Sequence, residues 1–294
     1  MESDKNNSVT KIAIVMAAGK GTRMKSDLPK VLYPVSGRPM IEYVLDVLET
    51  VVERIFVVVG YRSDLVRESL AGRRKLEFVE QTEQLGTGHA VMVCRDQLAG
   101  YEGALLVLAG DCPMVQVETI NKLFDEYNST DVCPSCFKIH GAEHGSAASR
   151  SVCSGAKPIA HTGSGIFPSC ILGTATKDNP TGLGRILRDS HGEFIGIVEE
   201  RDATPEQRRI KEVNMSYYVF HSPDLLGALS ELRSDNSQNE YYITDVPAVL
   251  KRQGKKVIAL PILKHIETLG INTVEEAQIV EKALQGFYSE TGTV

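Results

Sequence analysis

Ile14-Val-Met-Ala-Ala-Gly-Lys-Gly-Thr-Arg-Met24 decides the fold, because it joins a short apolar run to a glycine-rich loop carrying two cations. Residues 12–16 read as a buried strand, and Gly19 and Gly21 follow it with Lys20 and Arg23 beside them. Glycine lets backbone N–H groups converge on an anion where a Cβ would intrude. A dinucleotide fingerprint asks for a third glycine three places after Gly21, where Met24 stands. A Walker A loop asks for Gly-Lys-Ser/Thr after a four-residue gap, and that is absent. The plain alternative is a basic surface turn. Against it, a buried strand aims such a loop at the carboxyl edge of a sheet, where wound α/β folds bind their ligands.

Outward from this loop the chain alternates strand and helix as far as about residue 130. Residues 40–52 carry an apolar stripe at helical spacing, and Ile-Phe-Val-Val-Val at 55–59 is a strand covered on both faces. Ser63 can cap a helix to about Leu70. Strands are expected at 76–79 and 104–108, with helices at 87–98 and 117–127. Strand, helix, strand at this spacing gives right-handed βαβ units, so the fold class is α/β, a Rossmann-like doubly wound and mostly parallel sheet. Pattern fades between about 138 and 168 and resumes with strands at 170–173, 194–199, 213–220 and 256–260. A helical turn at 206–209 and helices at 223–232, 243–252 and 273–285 complete the reading.

Composition narrows the function. With 42% hydrophobic and 24% charged residues among 294, the chain is ordinarily globular and holds no apolar run approaching the ~18 of a membrane span. The polar start, residues 1–10, reads as a flexible tail without the apolar stretch of a secretory signal, so a cytosolic protein that neither crosses nor sits on a membrane is expected. A net charge of −6 offers no general pull on nucleic acid. A phosphorylated ligand must then be held by local cations and backbone amides. The six cysteines would stay reduced in a cytosolic chain.

Three further stretches carry chemistry. Asp27-Leu-Pro-Lys30-Val-Leu supplies a cation whose stem is anchored between a proline and an apolar run. In Glu80-Gln-Thr-Glu-Gln-Leu-Gly-Thr-Gly-His-Ala90, Gln81 can offer a donor and an acceptor to a pyrimidine edge, while Gly86 and Thr87 open a helix with free N–H groups. Gly110 and Asp111 end a buried strand, and a carboxylate there suits magnesium, which prefers hard oxygen. The competing readings are a capped helix start for the second stretch and a helix-capping aspartate for the third.

Ala-Ala-Gly-Lys-Gly-Thr-Arg-Met followed by Leu-Pro-Lys resembles the signature of the sugar-1-phosphate nucleotidyltransferases. The stretch around Gln81 is similar to the uridyltransferase half of the bacterial bifunctional enzymes that form UDP-N-acetylglucosamine. The likeness runs from about residue 11 to 260. It implies a magnesium-dependent transfer from UTP to N-acetylglucosamine 1-phosphate, with pyrophosphate released. It also implies that Met16, Ala17, Ala18, Gly19, Lys20, Gly21 and Thr22 hold the nucleotide with Gln81, Gly86, Thr87, Gly110 and Asp111, and that Arg23 and Lys30 are catalytic. By the same likeness Gly184, Glu199 and Asn214 bind the sugar, and Asn236 joins Asp111 on Mg²⁺. Leu183 stands where the family usually has tyrosine, Asn214-Met-Ser replaces Asn-Thr-Gly, and Ala109 stands where a tyrosine is common. The acceptor could also be another sugar 1-phosphate (N-acetylgalactosamine or glucose), the donor a thymidine nucleotide, or the protein a silent nucleotide-sugar sensor.

The expected organisation is a tail at 1–10, the nucleotidyltransferase domain at 11–262 and a helical extension at 263–294. The extension is too short for the left-handed β-helix of the bifunctional enzymes' second half. Within the domain, Cys133, Cys136, His140, His144, Cys153, His161 and Cys170 are ligand types for zinc, but their spacing fits no strong template. Pro-Ser-Cys occurs at 134–136 and again at 168–170, so the interval of about 137–170 reads as a dispensable insertion.

Overall fold

The computed structural model describes residues 10–129 and 167–291. The proposed insertion as far as residue 166, with Cys133, Cys136, His140, His144, Cys153 and His161, lies outside the described residues, whereas Cys170 opens a strand and is fully buried.

Ile12–Met16 forms β1, and its alternation puts Ala13 and Val15 in one core and Ile12 and Ile14 in another. A small hairpin of β2 (Pro34–Val35) and β3 (Arg38–Pro39) follows, then helix α1 (Met40–Val51) and β4 (Arg54–Val59). Next come α2 (Ser63–Ser69), β5 (Leu76–Glu80), α3 (Thr87–Met92), β6 (Ala104–Ala109) and α4 (Val117–Asn128). The second part contributes β7 (Cys170–Thr176), β8 (Arg185–Arg188), β9 (Phe194–Val198), β10 (Glu212–His221) and α5 (Ser222–Leu229). It ends with α6 (Val246–Arg252), β11 (Val257–Leu260) and α7 (Val274–Thr291).

The main sheet runs β11-β7-β10-β6-β1-β4-β5, with β8 and β9 joined to it through β10. β1 pairs in parallel with β4 and β6, β4 with β5, and β11 with β7, while β10 is antiparallel to both neighbours. Helices α1 and α4 cover one face and α3, α5 and α6 the other, as a doubly wound sheet requires. The carboxyl ends of β1, β6 and β7 and the start of β10 therefore meet along one edge.

Two local expectations differ from the structure. Ser63 is the first helical residue of α2, and Arg62, in the left-handed region at φ 47°, makes the turn before it. The helix read over 87–98 stops at Met92 and tightens into a 3₁₀ turn at Asp96–Leu98. The apolar stripe continues through both pieces, so periodicity alone does not mark the break.

The segment after β11 returns across the edge. Ile271, Ala277, Val280 and Leu284 pack with Met24, Val35 and Met40 in a third cluster. Upstream, Glu267 is fully buried at 0% exposure. Its carboxylate accepts from the Thr119 hydroxyl at 2.7 Å, the Lys264 amide at 3.0 Å and the Gln116 amide at 3.2 Å, clipping the segment to the start of α4. Burial raises its pKa, and these bonds oppose the rise. Glu267→Ala leaves those donors unpaired, an expected cost of about 2–4 kcal/mol. Thermal melting reads this as a fall in Tm of several degrees, and an unchanged Tm rejects the clip.

Candidate active site

The loop after β1 is pinned at its root. Ala17 N–H donates to the Val58 carbonyl at 2.9 Å, and Tyr61 N–H to the Ala18 carbonyl at 3.1 Å. Gly21, at φ 66°, turns the chain into a 3₁₀ turn at Thr22–Met24, which the buried Met24 anchors. Among the described residues, the N–H groups of Gly19, Lys20 and Gly21 donate to no other backbone group. A Cβ on Gly21 would lie 2.5 Å from Cβ of Lys30, so the loop crosses the Lys30 stem where only glycine fits.

Lys30 carries its charge into a polar corner. Its ammonium donates to Oδ2 of Asp111 and, at 2.7 Å, to Oδ1 of Asn272. Arg23 reaches the same Asn272 oxygen at 3.4 Å. Asp111 follows β6, and its carbonyl accepts from the Ile271 amide at 3.1 Å, which brings the C-terminal segment to this point. Glu276 then fixes Asn272: its Oε2 accepts from the Asn272 and Thr273 amides at 2.6 and 3.1 Å, and Thr273 Oγ1 accepts from the Glu276 amide at 3.2 Å. This is a capping box at the start of α7.

Asp111 and Asn272 thus turn hard oxygens toward one cation, the Lys30 ammonium. A carboxylate and an amide oxygen on an open cleft suit Mg²⁺, which takes its remaining ligands from phosphates and water. No group of three or more His, Cys, Asp or Glu able to hold a metal occurs among the described residues. The expectation that Asn236 partners Asp111 is not met. Asn236 donates to the Glu240 carbonyl at 2.5 Å and accepts from the Gln238 and Glu240 amides at 3.2 Å, so its amide closes its own loop. That loop packs elsewhere. Gly88 N–H donates to the Tyr241 carbonyl at 2.7 Å, Tyr241 N–H to the Leu85 carbonyl at 2.8 Å, and Ile243 N–H to Thr87 Oγ1 at 3.1 Å.

These contacts build one wall around Gln81, which is 4% exposed. Its Nε2 donates to the Gly86 carbonyl at 3.1 Å and lies 3.0 Å from His89 Nδ1. With His89 protonated on Nε2, both amide hydrogens of Gln81 are engaged, and Oε1 remains as an acceptor. Gly86, at φ 108°, passes the Tyr241 carbonyl where a Cβ would approach to 2.6 Å.

The opposite wall gathers Gly184, Glu199 and Asn214. The Asn214 amide donates to the Gly184 carbonyl at 2.9 Å, and a Cβ on Gly184 would stand 3.5 Å from the Glu199 carboxylate. Burial raises the Glu199 pKa, and the Thr244 hydroxyl, donating to it at 2.9 Å, opposes the shift. Asn214 Oδ1 accepts from the buried Tyr218 hydroxyl at 2.9 Å, which fixes its orientation. Buried Arg185 braces this loop through Glu200 at 2.5 Å and the Leu183 carbonyl.

All of these walls line one cleft of about 700 Å³. Met16, Ala17, Ala18, Gly19, Arg23, Lys30, Gln81, Gly86, Thr87, Asp111, Gly184, Glu199 and Asn214 face it. Lys20, Gly21, Thr22, Gly110 and Asn236 do not. Lys20 lies over the Tyr61 ring at 5.1 Å, and Gly110 supports the Asp111 turn by donating to the Met16 carbonyl at 3.0 Å. The cleft also receives Lys177, Thr268, Asn272 and Glu276, which the sequence did not single out.

The profile of the MobA-like NTP transferase domain matches residues 13–243, and the chain belongs to that family. The bifunctional protein GlmU of Streptococcus thermophilus is 41% identical over 261 residues, 88% of this chain and 48% of that protein. GlmU of Lactobacillus delbrueckii subsp. bulgaricus is 42% identical over 263 residues, 89% of this chain and 49% of its own. The chain thus spans about half the length of the curated relatives it matches. A UDP-glucose pyrophosphorylase solved with UDP-glucose superposes with a TM-score of 0.62 at 19% identity, covering 94% of this chain and 99% of the other, a likeness of fold. Among the described residues, no helix is long and apolar enough to cross a membrane.

Proposed function

We propose, for this member of the MobA-like NTP transferase family, transfer of a uridylyl group from UTP to N-acetylglucosamine 1-phosphate with release of pyrophosphate. The observation that carries this reading is the union of three sites in one cleft: an acceptor-bearing base wall at Gln81, a cationic corner at Lys30 and Arg23, and a polar pocket at Gly184, Glu199 and Asn214. The likeness to the first half of GlmU supports the choice of substrates.

The free Oε1 of Gln81 suits a ring N–H, which uracil and thymine present at N3 and cytosine lacks. Glu199 offers an acceptor to sugar hydroxyls or to an N-acetyl N–H, while Asn214, whose Oδ1 already accepts from the Tyr218 hydroxyl and the Ser216 amide, offers its amide hydrogens to a sugar or acetyl oxygen. The sugar phosphate is already ionised near neutral pH, so the chain need not supply a general base. One phosphate oxygen bonds to the α-phosphorus, the bond from that phosphorus to the α–β bridging oxygen breaks, and pyrophosphate leaves. Lys30 neutralises charge at the reacting phosphoryl group, while Arg23 and the Gly19 amide hold the departing phosphates. Mg²⁺ held by Asp111 and Asn272 would add Lewis-acid polarisation of phosphate oxygens.

Pyrophosphate release tests the reading, with UTP, dTTP, CTP and ATP each offered N-acetylglucosamine, N-acetylgalactosamine or glucose 1-phosphate in the presence of Mg²⁺. UTP with N-acetylglucosamine 1-phosphate is expected to give the highest kcat/KM, and CTP to fall far behind. A single methyl separates dTTP from UTP and is worth only ~1–3 kcal/mol. Preference for a purine nucleotide overturns the base assignment, and preference for a sugar lacking the N-acetyl group overturns the acceptor assignment.

A further inference from the structure

Lys177 is the residue after β7, on the loop that runs on to Leu183 and Gly184. Its half-buried side chain lines the cleft, and its ammonium donates to the Thr268 carbonyl at 3.0 Å. That carbonyl is its one hydrogen-bond partner among the described residues, and it is neutral. An ammonium has three donors, so the others remain available. Burial depresses the Lys177 pKa, and Glu276, acting through space, only partly restores it. The Glu276 carboxylate is already engaged by the Asn272 and Thr273 amides. A cation drawn into a cleft without a contacting carboxylate carries a desolvation cost that an anion would offset.

The sheet order says which anion. Along the carboxyl edge β1 is followed by β6, the start of β10, and β7. The nucleotide loop follows β1 and Asp111 follows β6. Asn214 lies on β10 opposite Thr174 of β7, and Lys177 follows β7. Lys177 therefore stands across Asp111 from the phosphate loop, on the side of the sugar pocket. We infer that Lys177 binds the phosphate of the sugar 1-phosphate acceptor, so that the two phosphate groups to be joined approach Asp111 from opposite sides. This inference rests on the proposed transfer to a sugar 1-phosphate.

Calorimetric binding of N-acetylglucosamine 1-phosphate, glucose 1-phosphate and inorganic phosphate to the full chain and to Lys177→Met and Lys177→Arg separates the possibilities. KM values for both substrates and thermal melts are measured beside it. The lost contact is to phosphate, so Lys177→Met is expected to weaken all three ligands by a similar factor, about ten- to hundredfold, the worth of one charge-assisted hydrogen bond. KM for the acceptor should rise likewise, KM for UTP should stay within about twofold, and Lys177→Arg should recover most of the binding. Tighter binding of glucose 1-phosphate by the wild type sinks the choice of sugar and leaves the role of Lys177 intact. Equal phosphate binding by wild type and Lys177→Met overturns the inference. So does a lowered Tm with both KM values unchanged, since Lys177 would then only tether Thr268.

Discussion

Asp111→Ala is expected to reduce turnover at saturating Mg²⁺ about a thousandfold, because it removes the carboxylate of the polar corner and several kcal/mol of charge stabilisation with it. The fold should survive, since the side chain is 25% exposed at the end of a strand and, among the described residues, holds only the Lys30 ammonium and the neighbouring Cys112 thiol. Asn272→Ala removes a neutral oxygen that water can partly replace, so about ten- to hundredfold is expected. Asn236→Ala is the discriminating control. Its bonds stay within residues 236–240, and its loss should leave turnover within a few-fold of wild type. The three variants are compared by kcat against Mg²⁺ concentration, with thermal melts. If Asn236→Ala loses more turnover than Asn272→Ala at unchanged melts, Asn272 is not the partner of Asp111. Near-wild-type turnover for Asp111→Ala would leave that residue as a turn-forming carboxylate only.

The contrast between the two asparagines shows what can be read from a chain. Buried runs such as Ile-Phe-Val-Val-Val and Ala-Leu-Leu-Val-Leu-Ala declare their strands, because a strand covered on both faces must be apolar throughout. Strand β8, Arg-Ile-Leu-Arg, escapes the same reading: it is short and begins and ends on arginines, whose partners are Glu200 in the turn after β9 and Glu212 in β10. The glycine-rich loop was legible because its residues are local to one another. Asn236 sits in a conspicuous polar run, yet that polarity closes a loop that packs beside Gly86 and Thr87. Asn272 stands singly between Ile271 and Thr273, beyond the residues the family profile matches. Only the return of the C-terminal segment to Asp111, through Ile271, gives it a role. Lys177 was hidden for the same reason, because a single lysine after a strand looks like any solvated one. Residues that act through long-range contact leave no periodicity for a sequence to display.

Gly21→Ala is a small change with an expected large effect, because the Gly21 backbone passes over the Lys30 side chain. Lys30→Ala removes the ammonium that Asp111 and Asn272 grip, with an expected loss of about a hundred- to a thousandfold in kcat, the range for one preorganised charge-stabilising donor. Gly21→Ala should approach that loss while keeping every charged group. Its new Cβ would fall 2.5 Å from Cβ and 2.9 Å from Cγ of Lys30, and the Lys30 side chain, only 14% exposed, has little room to retreat. The φ of 66° adds about 1–2 kcal/mol of strain for any residue with a Cβ, so a modest fall in Tm should accompany the loss of rate. Two causes remain to be separated: displacement of Lys30, and distortion of the backbone of the glycine-rich loop itself. A double-mutant cycle separates them. If displacement of the ammonium dominates, Gly21→Ala costs little further rate in the Lys30→Ala background, where that ammonium is already absent, although the contact with the remaining Cβ at position 30 still lowers Tm. If the two losses multiply, Gly21→Ala acts through the path of the loop backbone rather than through the position of the Lys30 ammonium. KM for UTP adds an independent reading, because distortion of the loop backbone weakens nucleotide binding whereas displacement of Lys30 mainly lowers kcat.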